Sequence, residues 1–250
     1  MSSGNAGLGG QPDGAGTADG ATAGSLCPCC DSGGEGSVVN SFLAIALVIA
    51  VVFPAAWWWQ RRESRAVAAA LESIAERRGG RLRQATALRY PQLTFSQLGV
   101  EILVSAMSGS GPTNAAHSFV QAHLAHQPDF TFVVSTRSVG AAFAGWSRST
   151  GVATEDADFD GCFVVRSSDE RRLLTIFDAD VRNHLGVLAQ DRHVWVVFAP
   201  ATLFEEGRLV TGQQQPRLSV SVGGIVTDAA DYDRMTDVAL LLLDRIERTG

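Results

Sequence analysis

The hydrophobic pattern changes character three times along the chain. From Phe42 to Trp59 the residues read FLAIALVIAVVFPAAWWW, eighteen positions without a charge and apolar on every face a helix would present. Counted from Val38 the segment reaches twenty-two residues, about 33 Å of helix against a hydrocarbon core of about 30 Å. This predicts a transmembrane helix over 38–60, with Pro54 tolerated near one end. Phe42 opens the anchor, Trp57, Trp58 and Trp59 suit the membrane–water interface, and Arg61, Arg62 and Arg65 follow at once.

Past the arginines the pattern takes a period of 3.6. Val67, Leu71, Ile74 and Ala75 share one face of a helix over Glu63–Arg78, within a juxtamembrane segment 61–80 that Gly79-Gly80 stops. The globular part, 81–250, then opens with period-two runs. Leu93–Ser96, Val100–Ala106, Ser118–Leu124 and Phe130–Ser135 read as strands, with GSGPTN at 109–114 as a loop. Strands that follow one another without helices between them argue for antiparallel hairpins.

After an irregular passage, 138–158, Phe159–Arg166 reads as a strand. Ser167 to Glu170 has capping-box spacing, and Leu173, Leu174, Phe177, Val181, Leu185 and Leu188 form a helical apolar face, with Asp178 placed to cap a second helix. His193–Ala199, Arg208–Thr211 and Arg217–Val226 are three further strands. A closing helix over Asp231–Arg248 buries Met235, Val238, Leu242 and Ile246. The expected class is α+β: one transmembrane helix followed by a mainly antiparallel β-sheet domain with packed helices. The anchor, the helix after it, and FDGCFVVRSSDE leading into a helix resemble a domain of uncharacterised bacterial single-pass membrane proteins. That resemblance implies architecture and no named activity.

Composition changes this picture in two respects. All 20 basic residues are arginine, so enzyme classes built on a P-loop, Schiff-base or ATP-binding lysine drop out. Four of the 26 acidic residues lie in 1–37, and the remaining 22 against 20 arginines leave 61–250 mildly acidic, without the basic face that nucleic-acid binding requires. The arginines after the apolar run put the N-terminus outside and the domain in the cytoplasm, at the inner membrane. Residues 1–37, rich in Gly, Ala and Ser, are expected to be disordered.

Candidate chemistry is scattered. Cys27 and Cys30 have C-x-x-C spacing, but a zinc site needs four ligands and the tail holds no second cluster. An outer tail leaves open a disulfide-linked or tail-mediated homo-oligomer. Asp156, Asp158, Asp160 and Gly161 match the opening of an EF-hand loop, whose alternate oxygens wrap Ca²⁺. The twelfth position is Ser167 rather than Glu, so only a looser calcium loop fits. His117, His123 and His126 form a second metal candidate; on a strand, His117 and His123 share a face and His126 points the other way. Cys162 reads as a buried structural thiol, with His184 or His193 as partners only if the fold supplies them.

The expected function is a non-catalytic accessory, scaffold or sensing module without a cofactor. Its partners are the lipid bilayer and a membrane or cytoplasmic protein, with no nucleic acid. Two alternatives stand beside it: a calcium- or zinc-dependent binding module or hydrolase using the Asp156 loop or the histidines, and a small-molecule binder with a pocket between sheet and helices.

Overall fold

The computed structural model describes residues 35–86, 89–109, 115–126, 129–140, 150–199 and 216–249, those of 35–49 by backbone alone. Two compact units divide between Val52 and Phe53. The described part of the first is the opening of helix α1 (Glu35–Arg78). The tail with Cys27 and Cys30, the side chain of Phe42 and the expected strand Arg208–Thr211 lie outside the described residues.

The anchor expectation is corrected. Among the described residues no helix is long and apolar enough to cross a membrane. The helix expected to end near residue 60 continues without interruption to Arg78, carrying Arg61, Arg62, Glu63 and Arg65 within it. The single-pass, inner-membrane placement therefore does not stand. Trp57, Trp58 and Trp59 are exposed side chains of α1; Arg61 stacks over Trp57 at 4.7 Å and Arg62 over Trp58 at 5.8 Å.

In the second unit the α+β expectation holds, with one mainly antiparallel sheet. Its strands are β1 (Arg81–Arg83), β2 (Gln92–Gln97), β3 (Val100–Met107), β4 (His117–His123), β5 (Phe132–Thr136), β6 (Thr150–Gly151), β7 (Phe163–Ser167), β8 (Val194–Ala199) and β9 (Arg217–Gly223). They lie in the order β1-β2-β3-β4-β9-β8-β5-β7-β6, and every neighbouring pair is antiparallel. Gly80 makes the entry possible: its φ is +124°, and a Cβ there would sit 2.6 Å from the Thr94 carbonyl oxygen, so only glycine fits between helix and sheet.

The helices in this unit are α2 (Arg137–Gly140), α3 (Ala157–Cys162), α4 (Glu170–Ile176), α5 (Ala179–Ala189) and α6 (Ala229–Thr249). Alternation along the strands sends Ile102, Val104, Val120, Ala122, Val194, Val196, Phe198, Leu218 and Val220 to one face. There they share a single core with Val67, Leu71 and Ile74 of α1, Leu173 of α4, Leu185 of α5 and Met235, Val238 and Leu242 of α6. Each such side chain, fully buried, is worth about 1.5–3 kcal/mol. Arg77 pairs with Asp233, and Arg78 pairs with Asp233 at 3.2 Å and Asp237 at 2.6 Å, tying α1 to α6. The opposite face also holds buried residues: Phe119, Val133, Ser135, Trp195, Ser219 and Ser221.

The expected strand Phe159–Arg166 is corrected to a helix followed by a strand, α3 then β7. Asp156 accepts from the Phe159 amide and caps α3, and Asp158 and Asp160 lie in its first turn, where acidic groups are favoured by the free N–H groups and the helix dipole. Phe159 stacks on Phe163 with centroids 4.5 Å apart. The capping expectations fare differently. Asp178 caps α5 as read, whereas the cap of α4 is Asp169 rather than Ser167.

Candidate functional site at one end of the sheet

The antiparallel register brings the start of β8, the end of β9, the end of β5 and the start of β7 to one end of the sheet. Val194 pairs with Val222, Ser135 with Trp195, and Thr136 with Phe163. Just beyond these pairs lie His193, Gly223, Ser138 and Cys162. Ser138 Oγ is 2.7 Å from His193 Nδ1, with the two residues 55 positions apart in sequence. Thr136 Oγ1 is 3.3 Å from Ser138 Oγ. The turn after β5 is fixed by Arg137, whose guanidinium donates to the carbonyls of Asp160 at 2.6 Å and Gly161 at 2.9 Å.

Beside this pair the α5–β8 turn, the end of β9 and the start of α6 enclose a cleft of about 420 Å³. Leu188, Val222 and Met235 form its apolar floor; Arg192, Arg234, Asp191 and Asp231 supply its charge. Arg192 Nη2 donates to Asp231 Oδ2 at 3.0 Å and Arg234 Nη1 to Asp231 Oδ1 at 2.9 Å. Both carboxylate oxygens are thus engaged, while each guanidinium keeps further N–H donors. A smaller space of about 340 Å³ adjoins it, lined by Gln190, Asp191, Arg192, His193 and Gly223.

Ser118 holds the start of α6 in place behind the cleft. Its hydroxyl accepts from the Val226 amide at 2.8 Å and from the Tyr232 hydroxyl at 3.2 Å. Burial pushes the Tyr232 phenol up to about 12, against the opposing pull of the Ser118 hydrogen bond and the Arg192 charge.

No protein-family model matches the chain, and no curated protein matches it. Among solved structures it is similar to the mycobacterial trehalose monomycolate transport factor A. The TM-score is 0.46 at 10% identity, over 74% of this chain and 96% of that one. Likeness at this level carries no activity to this chain.

The metal candidates fall at separate places. Asp156 caps α3 with Oδ1 and pairs with Arg182 through Oδ2 at 3.1 Å. The Phe159 amide, and after it Arg182, hold its carboxyl below the usual range. Asp160 accepts from the Thr154 amide and hydroxyl at 2.9–3.1 Å, and Asp158 is exposed. His117 and His123 do share a face of β4 but stand at its opposite ends, about 20 Å apart at 3.3 Å per residue; His126 is exposed beyond the strand. His117 packs against Trp195 at 5.4 Å and Phe119 at 5.9 Å, and its burial lowers its pKa. Among the described residues no three His, Cys, Asp or Glu side chains converge as a metal requires. Cys162, read as buried, is exposed, because the strand it was assigned to starts one residue later.

These placements give a contrast. Asp160→Ala strands the hydroxyl and amide of buried Thr154 and is expected to cost about 1–3 kcal/mol. Asp158→Ala touches nothing comparable and stays within about 0.5 kcal/mol. Urea titration with and without millimolar Ca²⁺ checks this; a calcium loop would show stabilisation by the ion that Asp158→Ala removes.

The sequence reading missed Ser138, Arg192, Asp231 and Arg234 as site residues. Ser138 has Gly140 two positions on but Thr136 two positions before, so the G-x-S-x-G signal is incomplete. Asp231 registered only as the start of the closing helix.

Proposed function

We propose that the chain is a ligand-binding module of the accessory or sensing kind, holding a small acceptor-bearing molecule in the cleft between α5, β8 and α6. The observation that supports this reading is the arrangement of Arg192, Asp231 and Arg234 over Leu188, Val222 and Met235. Convergent polar groups are what fix a small molecule's orientation in a site. Asp231 spends both oxygens on the arginines, which keep further donors beside the Asp191 carboxylate, so the complementary ligand presents a carboxylate or similar acceptor to the guanidiniums, on an apolar body.

Thermal unfolding of the full chain with hexanoate and with hexylamine tests the reading. Hexanoate at ten times its Kd is expected to raise Tm by about 3–6 °C, and hexylamine to leave it unchanged. Arg192→Gln and Arg234→Gln, each measured against its own unliganded Tm, are expected to abolish the shift. Equal shifts with both probes, or none with hexanoate up to tens of millimolar, would sink this assignment.

A further inference from the structure

We infer that Ser138 is a nucleophile toward carboxylic esters, with His193 as its general base. This goes beyond the binding reading and does not depend on it. Ser138 lies in α2 just after β5 and His193 immediately precedes β8, so the β5–β8 register brings them together, at 2.7 Å from Oγ to Nδ1, the distance at which a base can take a hydroxyl proton. Both side chains are exposed, whereas neighbouring Val139 is buried and holds the turn down. Arg137, bonded to two carbonyls of α3, fixes the same turn from the other side.

The surroundings suit the chemistry. His193 is among the residues lining the 340 Å³ cleft, and Ser138 stands just outside that lining. Gly223 adjoins His193, its amide donating to the His193 carbonyl at 2.7 Å, and a Cβ there would sit 3.3 Å from His193 Cβ, so glycine leaves the base room. Thr136 Oγ1, 3.3 Å from Ser138 Oγ, provides a second hydrogen bond to the nucleophile as its proton leaves. Arg192, the chain neighbour of His193, lines the same cleft together with Asp191.

The reaction balances without a further reagent. Ser138 Oγ bonds to the ester carbonyl carbon as its proton passes to His193 Nδ1. The bond to the alcohol oxygen breaks, and the alcohol leaves with the proton from His193. Water then attacks the Ser138 acyl ester, giving its proton to His193; the carboxylic acid departs and that proton returns to Ser138 Oγ. The net change is ester and water to acid and alcohol.

The test treats the folded full chain with a fluorophosphonate, maps the adduct by peptide mass, and follows 4-nitrophenyl acetate hydrolysis. A single adduct on Ser138 is expected. Ser138→Ala should lack it, and His193→Gln should form it at least tenfold more slowly. Acetate release should fall by about a hundredfold in both variants, in line with the usual contribution of a general base. Because both side chains are exposed, circular dichroism is expected to show both variants folded. Labelling spread over other exposed serines such as Ser168, labelling that ignores His193→Gln, or a Ser138 adduct without ester turnover would each overturn the assignment. The hexanoate experiment depends on Arg192 and Arg234 and not on Ser138, so the two readings fail separately.

Discussion

Phe132→Ala is expected to destabilise the protein by about 3–5 kcal/mol, the range for truncating a fully buried phenylalanine. Phe132 is 0% exposed and sits at the centre of an aromatic cluster on β5. Its ring meets Phe177 edge-on at 5.3 Å and stacks on Phe198 at 5.2 Å, with Phe130 at 6.0 Å. Removing it takes away the transfer term, the ring contacts of three neighbours, and the filling of a space that the central strands cannot collapse into. For a unit of this size each kcal/mol moves Tm by about 2–4 °C, giving a fall of about 6–20 °C. Calorimetry of the variant checks it. A fall of under 3 °C would mean that the cluster is not packed as described. The same strand ends at Thr136 and turns into Ser138, so this cluster also anchors the candidate nucleophile.

Asp178→Ala is expected to cost about 2–4 kcal/mol, through two losses at once. Asp178 Oδ1 accepts from the Val181 amide at 3.0 Å and caps α5, a contribution of about 1 kcal/mol. Oδ2 pairs with Arg245 Nη2 at 2.7 Å. The Arg245 side chain is only 21% exposed, its remaining carboxylates Asp244 and Asp180 stand at 3.5 and 3.6 Å, and its Nε is buried without a partner. Leaving that charge less satisfied adds about 1–3 kcal/mol. Asp178→Asn retains a capping oxygen and is expected to lose roughly half as much. Urea midpoints of the two variants separate cap from ion pair; equal losses would assign the whole effect to the charge.

The cleft and the Ser138–His193 pair share Arg192 and the α5–β8 turn, so α5 and α6 set the geometry of both. Their own stability rests on sequence features that can be read locally: the Asp178 cap, and the 3.6-residue spacing of Val181, Leu185 and Leu188 and of Met235, Val238 and Leu242. All six of these side chains are buried in the fold.

Local chemistry in the chain was enough for the α+β class, the antiparallel strands and the amphipathic helices, because periodicity and caps act over a few residues. It was ambiguous at Asp156–Asp160, where an acidic run suits a calcium loop and a helix start equally; the side chains of Thr154, Arg182 and the Phe159 amide decided for the helix. The apolar run before Arg61 was likewise read as a discrete span, whereas the helix proved continuous with the part that packs on the sheet. Only the tertiary structure could set the strand order, and with it the site. Ser138 meets His193 because β5 lies beside β8, and Arg192 meets Asp231 because β9 delivers α6 to the α5–β8 turn. These pairs are 55 and 39 residues apart, far beyond the reach of any local pattern, and the sheet's hydrogen-bond register alone brings them together.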